Sequence, residues 1–184
     1  MRIFVAIELE PPIKQALEDV VRKLKRTGAD VRWVDGRGMH LTLKFLGEIA
    51  EAEVPSIEQA VKDATSAHGR FPLILRGTGT FPSGKSPRVL WVGVTEEAGL
   101  MELQKAVEAR LEAAGYPREG RPFHPHLTLG RVKSPSRLGE ALAQLEKCRE
   151  TVFGEMTAAK IALVESRLGP HGAEYRVVSE FALG

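Results

Sequence analysis

The sequence predicts an α+β protein: two pseudo-symmetric lobes, each a mostly antiparallel sheet with helices outside, and an active-site cleft between them. Three observations carry this reading. The tetrapeptide His-Leu-Thr-Leu occurs twice, at 40–43 and 126–129, with its histidines 126 − 40 = 86 residues apart. Helical and strand patterns are interspersed, but the strand pairs fall into hairpins, which build antiparallel rather than parallel sheets. The order of elements also repeats loosely, as helix, repeat-bearing strand, helix and hairpin, then nearly the same again. A chain of 184 residues can bury one good core. Residues 1–184 are therefore read as a single bilobal domain.

Arg2 to Leu9 is apolar and β-branched, as a central strand is. Pro11-Pro12 opens a helix on the spacing Ile13, Leu17, Val20, Val21, Leu24, and Gly28 closes it. Val31 to Val34 is a short strand, and Asp35-Gly36-Arg37-Gly38 turns the chain into the first repeat. Val54, Ile57, Ala60, Val61 and Ala64 set a helix over about 53–68. Phe71 to Thr80 and Arg88 to Val94 form a hairpin around a Pro/Gly/Ser loop. A helix over 98–114 carries Leu100, Leu103, Val107 and Leu111 and stops at Gly115. A loop rich in Pro, Gly and Arg, 116–125, delivers the second repeat. Another helix spans 136–147, and the chain ends in two strands, 156–166 and 174–181.

The repeats are short, rich in Leu and Thr and bounded by Gly or Pro, which reads as strand. Side chains alternate along a strand, so His40 and Thr42 share one face, and His126 and Thr128 likewise. The leucines anchor the other face in a core. Repeated architecture needs only the leucines. It does not need the polar positions to return as His and Thr in a chain with five histidines. Two imidazoles and two hydroxyls lining one cleft supply an acid, a base and two hydrogen-bond donors, which suits phosphodiester chemistry without a metal.

Composition bounds the alternatives. The chain is 43% apolar and 27% charged, with a net charge of +2 and a pI near 8.8. That mild basic excess permits nucleic acid without demanding it. The one cysteine, Cys148, excludes a disulfide framework and a cysteine zinc site, and fits a reducing compartment. No apolar run is long enough to cross a membrane, and the N-terminal stretch is too soon interrupted by charge for a signal peptide. Asparagine is absent and there are four glutamines, a bias seen in thermophile proteins.

Several motifs lead elsewhere and fail. Gly79 to Ser86 matches the phosphate-loop pattern GxxxxGK[ST], but Pro87-Arg88-Val89-Leu90-Trp91-Val92 follows as a strand. The phosphate loop needs a helix there, and Pro82 removes one of its N–H donors. The segment is read as a hairpin loop. Asp35-Gly36 lacks the lysine of a nucleotidyl-transfer motif, since Trp33 stands at that position. His124-Pro125-His126 lacks a third metal ligand nearby. His68 and His171 lie beside Gly in expected surface turns, solvated.

Two H-x-T-x motifs some eighty residues apart resemble the two-histidine (2H) phosphoesterase superfamily. The similarity is greatest to its RNA 2′,3′-cyclic phosphodiesterase branch, also called bacterial and archaeal 2′-5′ RNA ligase. The resemblance spans nearly the whole chain. It runs through Arg2-Ile3-Phe4-Val5-Ala6-Ile7, His40 to Gly47, Pro87 to Trp91, and Arg121 to Arg131. It implies a bilobal fold with His40, Thr42, His126 and Thr128 facing one another across a groove. It further implies His40 as proton donor, His126 as proton acceptor, loss of O3′, and a 2′-phosphate product. No metal or other cofactor is required on this reading. The expected partner is an RNA or oligonucleotide with a 2′,3′-cyclic phosphate end, handled by a cytoplasmic monomer away from any membrane.

Substrate contacts are less settled. Parity puts Lys44 on the His40 face, where it either attracts phosphate or is solvated. Strict alternation turns Arg131 away from His126, yet the family has a substrate-contacting arginine at the matching place, and a kink at Gly130 brings it round. Arg131 is therefore the first candidate and Lys44 the second. Phe45 is expected in the core by parity. Trp33 is read as buried, or else as a base-stacking platform. Two other functions stay open: a 2′-5′ RNA ligase using the same site without ATP, and a non-catalytic RNA-end or nucleotide-binding module, against which the two intact motifs argue.

Overall fold

The computed structural model describes residues 1–84, 86–95, 97–169 and 172–184. Lys85, in the phosphate-loop look-alike, and His171, expected in a solvated turn, lie outside the described residues. The strands are β1 (Arg2–Glu8), β2 (Val31–Trp33), β3 (His40–Glu48), β4 (Phe71–Phe81), β5 (Val89–Val94), β6 (His126–Val132), β7 (Val152–Ala158), β8 (Lys160–Gly169) and β9 (Gly172–Ala182). The helices are α1 (Pro11–Lys25), α2 (Val54–Thr65), α3 (Ala98–Ala113) and α4 (Leu138–Glu146).

The strands form two antiparallel sheets. One has the order β3-β1-β8-β9 and the other β2-β6-β5-β4-β7. Helices α2 and α3 pack on each other and touch the first sheet, whereas α1 and α4 pack together on the second. The chain passes between the sheets repeatedly, so neither lobe is a contiguous half of the sequence.

β1 shows why the first sheet is buried on both sides. Ile3, Val5 and Ile7 enter a core that continues through the helices into Leu73, Leu75, Leu90 and Val92 of the second sheet. Phe4 and Ala6 point the other way and meet Ala162 and Val164 of β8 in a second apolar cluster. That second face also bears His40, so it forms the floor of the cleft. The helices follow their apolar spacing. In α1, Ile13, Leu17, Val21 and Leu24 are buried, while Arg22, Lys23 and Lys25 sit where the helix dipole favours positive charge.

The expected strand over 156–166 is two strands in different sheets. β7 is an edge of the five-stranded sheet, β8 is central in the other, and the switch comes at Ala159. β7 lacks clear alternation because it is an edge with mostly exposed or half-buried side chains. The phosphate-loop look-alike is the turn of the β4–β5 hairpin, and the element after it is strand β5 rather than a helix. His68 is half-buried rather than solvated: its Nδ1 lies 2.8 Å from the Ala64 carbonyl at the end of α2. Among the described residues, no helix is long and apolar enough to cross a membrane.

Candidate active site

The two repeats fold alike, down to an irregularity that alternation alone does not predict. In β3, His40 pairs with Glu8, Leu41 with Ile7 and Thr42 with Ala6; the register then skips Leu43 and pairs Lys44 with Val5 and Phe45 with Phe4. In β6, His126 pairs with Gly93, Leu127 with Val92 and Thr128 with Trp91; the register skips Leu129 and pairs Gly130 with Leu90 and Arg131 with Val89. Each strand therefore carries a β-bulge at its second leucine, which resets the faces beyond it. Leu41, Leu43, Leu127 and Leu129 are all buried. Cutting any of them to alanine removes packing worth about 2–5 kcal/mol.

The bulge corrects two expectations drawn from strict parity, for Lys44 and Phe45, and it also resets the face of Arg131. Lys44 does not share the His40 face. It is buried on the core side, where its Nζ donates to Glu108 Oε2 at 2.7 Å and to the Pro117 carbonyl at 2.8 Å. Phe45 is not core but lies on the cleft side, 61% exposed, with its ring centroid 5.8 Å from Phe4. Arg131 comes round to the outer side and is exposed. Gly130 takes the inward place that Lys44 takes in β3, because β2 covers it there: a Cβ on Gly130 would come within 2.5 Å of Val31 and 2.9 Å of Trp33. β3 is a sheet edge, so its corresponding position has room for a long side chain. Trp33 is half-buried against the main core.

Each histidine rests on aromatic rings. His40 lies 5.7 Å from Phe4, edge to face, and 5.1 Å from Tyr175 of β9. His126 lies 5.0 Å from Phe81, edge to face, and 6.5 Å from Trp91. Trp91 in turn lies against Gly79, where a Cβ would come within 2.2 Å of its ring. Phe4, Tyr175, Phe81 and Trp91 were not singled out from the sequence as parts of the site. Only Phe4 left a usable signal, as a large side chain on the second face of a strand whose first face is already core.

Both imidazoles are half-buried and both are less basic than a free histidine. Burial is the main cause for His40; the Lys14 charge adds to it, while the Gly38 backbone and Glu8 act against it. Burial also leads for His126, with the charges of Arg131 and His124 adding and the His124 backbone opposing. The backbone two residues upstream thus acts on each ring. Only His126 has a hydrogen bond of ordinary geometry there, from Nδ1–H to the His124 carbonyl at 2.6 Å. His40 Nδ1 is buried and has no such partner among the described residues. A carbonyl only accepts, so neutral His126 carries its proton on Nδ1 and keeps Nε2 bare.

Strands β3 and β6 approach one another between the sheets. Arg131 sits close enough to hold down the basicity of His126 and to act on Tyr175, which packs against His40. Thr42 and Thr128 are half-buried, and neither hydroxyl is hydrogen-bonded to protein among the described residues. The turn before β3 is set by Asp35, whose carboxylate accepts from the N–H groups of Arg37 and Gly38. Among the described residues, no three His, Cys, Asp or Glu side chains gather as metal ligands would.

A sequence profile of the 2′-5′ RNA ligase superfamily matches residues 6–170. The chain is 38% identical over 191 aligned positions to an RNA 2′,3′-cyclic phosphodiesterase of Aquifex aeolicus, covering 100% of this chain and 98% of that protein. The crystal structure of TT0787 of Thermus thermophilus superposes with a TM-score of 0.83 at 32% identity, over 100% of this chain and 98% of that one. The fold is shared as well with Escherichia coli LigT in its apo form, at a TM-score of 0.79 and 24% identity over 99% and 96% of the two chains. With both motifs seated on matching bulged strands and a profile match across most of its length, the chain belongs to the 2′-5′ RNA ligase superfamily.

Proposed function

We propose that the protein is an RNA 2′,3′-cyclic phosphodiesterase that opens the cyclic phosphate to a 2′-phosphate by acid–base catalysis at His40 and His126. The observation that carries this reading is the matched register of β3 and β6, which gives the two histidines and two threonines equivalent places on facing strands. The identity to full-length relatives named for this activity supports it. In the reaction, bare Nε2 of His126 takes a proton from water as its oxygen attacks phosphorus. His40, protonated, gives its proton to the departing ribose O3′. Thr42, Thr128 and Arg131 donate to the non-bridging oxygens, where charge builds in the transition state. The chain serves as a monomer on this proposal, with the whole of 1–184 acting as one bilobal domain.

The test is to incubate the protein with an oligonucleotide ending in a 2′,3′-cyclic phosphate, in excess chelator, with and without a 5′-hydroxyl RNA partner. A 2′-phosphate product in chelator is expected. Loss of turnover that a divalent ion restores would remove the scheme. A 2′-5′-linked product in the partner arm would show the 5′-hydroxyl replacing water at the same acid and base.

The lowered basicity of both histidines sets a pH signature. Free protein at neutral pH holds both rings mainly neutral, whereas the reaction needs one protonated. A bound phosphodiester anion favours the charged ring and raises its pKa. The profile of kcat/KM, which reports the free enzyme, is expected to fall on its alkaline side at lower pH than the profile of kcat, which reports the complex. Coincident alkaline limbs would mean that the substrate's charge does not reach the acid.

A further inference from the structure

We infer that the groove running out from Arg131 along the ends of β5 and β6 is a subsite for the phosphodiester backbone of the RNA strand upstream of the reacting end. This rests on the phosphodiesterase reading and extends it from the terminal phosphate to the chain behind it. The groove encloses about 510 Å³ and is lined by Ser86, Arg88, Arg131, Lys133 and Ser134 among others. That size falls within the roughly 300–1,000 Å³ of pockets that hold groups as large as a nucleotide.

Its charge is one-sided. Arg88, Arg131 and Lys133 line it, and none of the described residues lining it is acidic. A second groove, about 290 Å³ beside Arg2 and Arg167, carries its own carboxylates. There Glu48 lies 3.6 Å from the N-terminal ammonium, and Glu165 pairs with Arg167 at 3.0 Å and with Arg176 at 2.9 Å. An anionic strand leaving the cleft is therefore drawn along β6 and not toward the hairpin of β8 and β9.

The groove is also continuous with the candidate active site. Val89 faces Arg131 in register, the Val132 N–H donates to the Arg88 carbonyl at 2.9 Å, and Lys133 follows on the same segment. Arg131 joins the two regions, since it lines the groove and its charge reaches His126 and Tyr175. The hairpin turn that mimics a phosphate loop in sequence thus supplies one wall, through Ser86 and Arg88. The ligand it serves is the phosphate of a strand and not that of a nucleoside triphosphate.

A 2′,3′-cyclic mononucleotide has no upstream phosphate, so it ignores the subsite, whereas a tetranucleotide with the same end engages it. Wild-type protein should show a higher kcat/KM on the tetranucleotide than on the mononucleotide. Arg88→Ala combined with Lys133→Ala should lose about ten-fold per contact on the tetranucleotide, chiefly in KM, and stay within about two-fold of wild type on the mononucleotide. Removing two contacts should also flatten the dependence of log kcat/KM on log salt by about 1.4 on the longer substrate. Arg88→Lys should restore most of the loss at its position. Equal losses on both substrates, or no loss on the tetranucleotide, would overturn the subsite. So would a wild type that turns over the mononucleotide but gains nothing from length. A wild type inactive on both would instead defeat the phosphodiesterase reading itself.

Discussion

His40→Ala is expected to fall about 10²–10⁴-fold on a natural 2′,3′-cyclic phosphate and to recover much of that loss on a phosphodiester with a nitrophenolate leaving group. His126→Ala should be poor on both. The asymmetry follows from the roles proposed for the two rings. Ribose O3′ departs as a strongly basic alkoxide unless a proton meets it, so the acid counts for most there, and nitrophenolate needs no such help. Water must be activated whatever leaves, so the base is required on both substrates. The two rings also differ in their surroundings. His126 has its Nδ1–H committed to the His124 carbonyl, which leaves Nε2 as an acceptor, while His40 Nδ1 has no comparable partner among the described residues. The pH profile should lose its alkaline limb in His40→Ala and its acid limb in His126→Ala. Rescue of His126→Ala alone would exchange the roles. Equal rescue of both, or of neither, would mean that the imidazoles hold phosphate and do not move protons.

What the sequence made legible was whatever is local or repeated. The spacing Ile13, Leu17, Val21, Leu24 is a property of one helix and survives intact in α1. The repeated His and Thr needed no partner to be seen. The bulges at Leu43 and Leu129 are properties of strand pairs, set by β1 and β5 as much as by β3 and β6, so parity counted along one strand passes through them. That single irregularity misplaced Lys44 and Phe45 together, and in the second copy it turns Arg131 to the face that strict parity denied it. It did so by the same one-residue step, since a shift of one exchanges the faces of everything beyond it. The aromatic rings under the histidines were hidden for a related reason. Tyr175 lies 175 − 40 = 135 positions from His40 and reaches it only because β9 joins the same sheet. The division of 152–169 between two sheets likewise depends on which edge was vacant, which the segment itself does not record.

Lys44→Met is expected to destabilise the fold by about 3–5 kcal/mol, as removal of one partner from a buried ion pair does. The lysine side chain is only 2% exposed and that of Glu108 10%, so neither charge has water to fall back on. Glu108 sits on α3, where Gln104 donates to its Oε1 at 3.4 Å while also reaching the Leu43 carbonyl at the bulge. The Glu119 N–H approaches its Oε2 at 3.4 Å, and Lys44 holds the Pro117 carbonyl. The pair therefore ties the bulge of the first motif to the loop that leads into the second. With methionine at 44, the Glu108 carboxylate stays buried without its counter-charge. Adding Glu108→Gln removes that charge while keeping an acceptor for one of its two donors, Gln104 or the Glu119 N–H, so the double variant should regain more than half of the lost stability. Urea denaturation of the wild type, both single variants and the double variant closes the cycle, and the coupling between the two positions should be of order 0.5–3 kcal/mol. A double variant no more stable than Lys44→Met would show that the loss comes from packing and the Pro117 hydrogen bond, with the buried charge contributing little.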